Sequence, residues 1–174
     1  MAHASLVLTV IGPDRPGLVE ALSRVIADHR ANWLESRMAH LAGQFAGLLR
    51  VSVAPERADA LAAALEALST TGLRVIATRA ADHAPPTQPR LRLEGVGLDR
   101  PGIVRELSAA LAARGVNVEE LTSHTSSAPM SGETLFHVTA HLRAPDEVDA
   151  LRPVLEKLAD ELAIEVTLER ESDD

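Results

Sequence analysis

Two short segments carry the residues best suited to chemistry. Asp14-Arg15-Pro16-Gly17 separates a hydrophobic run from an amphipathic one, and Asp99-Arg100-Pro101-Gly102 repeats the arrangement 85 positions later. Proline suits a first helical position, whose N–H has no helical partner in any case. The glycine that follows leaves backbone with no side chain to obstruct an approaching group. Free N–H groups at a helix start, aided by the helix dipole, form a seat for a carboxylate. Asp14 and Asp99 are placed either to cap a helix N–H or to receive an ammonium. A free amino acid carries both charged groups, so this ligand class fits. A purely structural helix start fits the same residues, and both readings are open. Arg15 and Arg100 read first as solvated or paired with a nearby acid, and second as ligand contacts. Asn32 and Asn117 follow the amphipathic runs at matching places, as turn residues or as ligand contacts.

Other chemistry is poorly provided for. The chain has no cysteine, which excludes disulfides, thiolate metal sites and a Cys nucleophile. His137 and His141 share a face of one expected strand but stand roughly 13 Å apart, too far to share an ion. His124 could approach His137, yet no carboxylate sits at recognisable ligand spacing, so no metal or cofactor is expected. Ser126, Ser127 and Ser131 read as part of a connecting loop, without a nucleophile motif.

The elements that must position the two segments also repeat. Residues 14–36 laid over 99–121 give ten identities in 23 positions. In each copy a strand (5–11, 90–96) precedes a helix opening at Pro16 or Pro101. The apolar positions at helical spacing are Leu18, Val19, Leu22, Val25 and Ile26 in one copy and Ile103, Val104, Leu107 and Leu111 in the other. Strands at 32–40 and 47–53, or 117–125 and 135–142, come next. A second helix begins near Pro55 or Pro145, and a closing strand lies at 73–79 or 164–170. The order βαββαβ, twice, is the ferredoxin-like α+β unit, an antiparallel sheet with helices on one face. Residues 82–90 hold three prolines and read as a linker, leaving domains at 1–81 and 91–174. Trp33, whose counterpart is Val118, reads as core or interface packing.

A βαββαβ unit with Asp-Arg-Pro-Gly between first strand and helix, and Asn before an apolar residue opening the second strand, resembles an ACT domain. The resemblance covers about residues 4–81 and 90–171. Two-module chains of this kind are similar to the glycine cleavage system transcriptional repressor family. That resemblance implies an amino-acid-binding regulator, with glycine or serine as ligand, acting through a protein partner such as a transcriptional activator. It implies ligand contacts from Asp14, Arg15, Pro16 and Gly17, and from Asp99, Arg100, Pro101 and Gly102. Asn32 and Asn117 would each contribute from a neighbouring module, paired within the chain or across a homodimer. Some family members carry a histidine two positions before the aspartate; here Gly12 and Gly97 stand there. A ligand-free interaction module, or an accessory subunit of an amino-acid or one-carbon enzyme, is the alternative. Enzymes bearing a similar module need a further catalytic domain, whereas this chain is expected to end with its second module and not to be an enzyme.

Charge agrees with a partner-based mechanism. The net charge is −8, and residues 86–174 hold seventeen acids against nine Lys or Arg, while residues 1–85 balance eight against eight. Nucleic-acid binding wants clustered positive charge, so no direct contact with nucleic acid is expected. No apolar run approaches the roughly 20 residues needed to span a bilayer, so the expectation is a soluble, cytoplasmic protein without membrane contact.

Overall fold

The computed structural model describes residues 3–80, 87–129, 132–145 and 148–171. The chain forms two compact units, Met1–Ala84 and Pro85–Asp174. Most of the 82–90 segment expected to be a linker lies outside the described residues, as does Ser131.

The first unit runs β1 (Ala4–Pro13), α1 (Leu18–Asp28), β2 (Asn32–Leu41), β3 (Gln44–Val53), α2 (Ala58–Glu66) and β4 (Arg74–Arg79). The second runs β5 (Arg90–Leu98), α3 (Ile103–Ala112), β6 (Asn117–Ser127), β7 (Thr134–Arg143), α4 (Val148–Leu162) and β8 (Ile164–Arg170). Strand orders are β2-β3-β1-β4 and β6-β7-β5-β8, and every pairing is antiparallel. The topology is therefore the expected ferredoxin-like one, present twice.

Alternation decides which face of each sheet is buried. Leu6, Leu8 and Val10 of β1 and Leu49, Val51 and Val53 of β3 point to one side. There they meet Leu18, Leu22 and Ile26 of α1 and Leu61 and Leu65 of α2. Leu91 and Leu93, Val138, Ala140 and Leu142, and Leu107 and Leu111 build the second core in the same way. Trp33 packs half-buried against the first core. No buried polar residue interrupts either core among the described residues.

Three local expectations change. Both first helices begin two residues later than expected: Gly17 and Gly102 are the N-caps, so Pro16 and Pro101 lie in the turn before them. The proline ring fixes its own φ, but the following glycine needs a positive φ, 92° and 100°, that a helical residue cannot have. The second helix of the first unit is preceded by a 3-10 turn, Pro55–Arg57. Ser126 and Ser127 belong to β6 rather than to a loop, because the β6–β7 ladder extends to the Ser127–Thr134 pair.

Candidate functional site

At the end of β1 the chain turns through Asp14-Arg15-Pro16-Gly17, all exposed, into the start of α1. The left-handed conformation of Gly17 explains that glycine: an L side chain is strained there, although no atom lies within 4 Å of where its Cβ would stand. No side chain caps α1 or α3, so neither Asp14 nor Asp99 is a helix cap. The Asp14 N–H donates to the Gly43 carbonyl oxygen at 2.9 Å, and the Asp99 N–H to that of Thr134 at 2.8 Å. Each turn is thus tied to its neighbouring hairpin. The aspartate side chain is left for other work.

In the first unit His40 stands beside that carboxylate, with Nε2 3.7 Å from Asp14 Oδ2. The same Nε2 lies 3.3 Å from the Gly43 N–H. One nitrogen cannot accept from Gly43 and donate to Asp14 together, so the two contacts are alternatives for it. Sequence reasoning missed His40, because it is 26 positions from Asp14. The signal was the hairpin: β2 and β3 return the chain to the turn through the His40–Phe45 pair. In the second unit Thr125 opposes Phe136 in the same way, so no histidine reaches Asp99 from that register position.

Glycine at the upstream positions has a steric cause. A Cβ on Gly12 would stand 2.6 Å from the Gly72 carbonyl oxygen, and one on Gly97 2.7 Å from that of Ala163. The backbone entering β4 or β8 occupies the space that a histidine there would need.

The two arginines differ. Arg15 Nη2 donates to the Thr71 carbonyl oxygen at 2.6 Å. Arg100 instead holds Glu106 with both ends of its guanidinium, at 2.9 and 3.3 Å. That pairing holds the Glu106 carboxyl below its ordinary range, against the opposing effect of burial, with smaller electrostatic help from Arg100 and Arg105. A hollow of about 240 Å³ beside the first turn is lined by Arg15, Pro16, Gly17, Ala21 and Thr71 among others.

The expected partners Asn32 and Asn117 are not brought to these turns within a unit. Asn32 pairs with Ser52, which pairs with Ser5, whereas Asp14 follows Pro13 at the other end of β1. Eight strand steps separate those ends, about 26 Å at the usual rise. Asn117 pairs with Arg143 and so lies at the Arg90 end of β5, equally far from Asp99. Both asparagines are exposed. A site using both the aspartate and the asparagine needs two modules.

On the open face of the second sheet, the His124 and His137 rings stack in parallel with centroids 4.6 Å apart. Ser126 Oγ lies 2.8 Å from His137 Nε2, while His141 Nδ1 turns to Glu171 Oε2 at 2.9 Å. Among the described residues no group of three or more His, Asp or Glu side chains could hold a metal. Among the same residues, no helix is long and apolar enough to cross a membrane.

Comparison with known proteins agrees with the repeated topology. ACT-domain family models match residues 4–75 and 92–159. The glycine cleavage system transcriptional repressor of Escherichia coli (strain K12) is 26% identical over 147 residues, covering 83% of this chain and 77% of the repressor. The crystal structure of an unknown protein from Galdieria sulphuraria is 31% identical with a TM-score of 0.88, covering 98% of this chain and all of that one. The crystal structure of a putative glycine cleavage system transcriptional repressor shares the fold, with a TM-score of 0.75, 21% identity, and coverage of 99% of this chain and 100% of its own. With one match in each half, the chain belongs to the ACT-domain family of regulatory modules.

Proposed function

We propose that this protein is an amino-acid-sensing regulator that acts through a protein partner rather than on DNA directly. The observation carrying this reading is the division of the site. Each Asp-Arg-Pro-Gly turn offers an aspartate for an ammonium and a helix start for a carboxylate, while the asparagine lies at the far end of its own sheet. A ligand contacting both would bridge two modules, in one chain or across a homodimer, and so favour one arrangement of them over another. Differential affinity for two arrangements is what an allosteric signal requires.

The repressor similarity supports a role in controlling glycine cleavage, and the signal proposed is glycine or serine. The charge of −8 supports the indirect mode, since it opposes binding to a phosphate backbone. The partner surface is proposed on the acidic second half, where Glu156, Asp160 and Glu161 are exposed on α4. The test is a thermal-shift screen against the twenty amino acids, followed by calorimetry on any hit. A ligand at a hundredfold excess over its Kd stabilises the native state by about 2.7 kcal/mol. A rise confined to one or two small amino acids is the expected result. No shift with folded protein at millimolar ligand refutes the sensor and leaves a ligand-free interaction module.

A further inference from the structure

From the contrast between the two turns, we infer that only the first repeat takes an amino acid, because the second is occupied by the chain's own Glu106 carboxylate. The inference rests on the reading above and decides which repeat carries it out. Glu106 lies in the first turn of α3, and its Oε1 is 3.2 Å from where a Cβ on Gly102 would stand. The carboxylate therefore lies over the uncapped helix start, where that of a free amino acid would be seated. Arg100 clamps it through both nitrogens, the strongest geometry available to an arginine and a carboxylate. An internal carboxylate, held by Arg100, thus already stands beside Gly102 in the space proposed for the ligand's own.

Among the described residues nothing comparable fills the first repeat. Its counterpart of Glu106 is Ala21, and no atom lies within 4 Å of a Cβ position on Gly17. The acid in the first turn of α1 is Glu20, one position earlier, and it turns along the helix to Arg24 at 3.5 Å. Among the described residues Arg15 has no carboxylate partner, and it lines the hollow beside Gly17. His40 next to Asp14 is a further feature of the first turn that the second lacks at the equivalent register position. One residue exchange, Ala21 for Glu106, accounts for an open seat in one module and a closed seat in the other.

The experiment is a titration of the full chain with glycine and, separately, with L-serine. It is followed by calorimetric stoichiometry and by the amide signals of Gly17 and Gly102. The wild type is expected to bind one ligand per chain, moving the Gly17 amide and leaving the Gly102 amide in place. Glu106→Ala should raise the stoichiometry to two and bring the Gly102 amide into the response. Ala21→Glu should abolish binding at the first turn, and Ala21→Gln, which fills the space without the charge, should block it less. Two ligands per wild-type chain would overturn the inference while leaving the amino-acid reading intact. A Gly102 amide still unmoved in a folded Glu106→Ala variant that binds at Gly17 would overturn it as well. Silence at both glycines in every variant would refute the amino-acid reading itself.

Discussion

Replacing Gly97 by alanine tests why a family position open to histidine elsewhere is glycine here. The new Cβ would stand 2.5 Å from Ile164 Cγ2, 2.7 Å from the Ala163 carbonyl oxygen and 2.8 Å from Ile164 Cα. Two of these atoms are backbone where β8 begins, so relief requires moving the strand and not merely turning a side chain. Overpacking of this kind costs about 1–3 kcal/mol, and backbone contacts place it in the upper part of that range. Removing a glycine from a strand returns about 0.5–1 kcal/mol. The net loss is then about 1–2.5 kcal/mol. For a unit of 90 residues, Pro85 to Asp174, each kcal/mol lowers Tm by about 4–8 °C. A fall of roughly 4–20 °C is expected by calorimetry, with faster hydrogen exchange at the paired amides of β5 and β8. Gly12→Ala, with a single contact under 3 Å, should fall less. An unchanged or raised Tm for Gly97→Ala would refute the steric account and return the position to a ligand-based explanation.

Other substitutions test the core, the turn and the charged face. Leu8→Ala, at a fully buried site, should cost about 3–5 kcal/mol in denaturant melts, while Leu48→Ala on the open face, 54% exposed, should stay within about 0.5 kcal/mol. Asp14→Ala should weaken amino-acid binding roughly 10- to 150-fold, the equivalent of about 1.5–3 kcal/mol for a charged hydrogen bond. Asp99→Ala should leave that affinity unchanged; the reverse pattern would place the ligand in the second repeat. The Glu171 carboxyl is held below its ordinary range by the hydrogen bond from His141, against burial, with added attraction from His141, Arg90 and Arg92. Its stabilisation is therefore full above the ordinary carboxylate value of 4.5 and lost as pH falls through the lower folded value. Glu171→Gln should flatten the fall in stability measured by urea melts below that pH, and an unaltered pH slope would count against the pairing.

The sequence by itself determined the fold and its duplication. Strand-like runs at 5–11 and 90–96, against helical spacing from Leu18 and Ile103, pointed to the βαββαβ order in both copies. Such local periodicity is legible because each residue's face depends only on its neighbours along the chain. It also identified Asp14, Gly17, Asp99 and Gly102 as residues able to meet an amino acid. It could not say that Asp14 leaves the helix uncapped, since that depends on Gly17 adopting a φ of 92°. Nor could it bring His40 to Asp14 or set Asn32 at the far end of the sheet, because strand register is a contact between distant segments. The difference between the repeats lies in plain view as Ala21 against Glu106, yet nothing along the chain marks it as consequential. Only the folded turn, which curls Arg100 and Glu106 together over Gly102, makes that exchange a matter of an open or a closed seat.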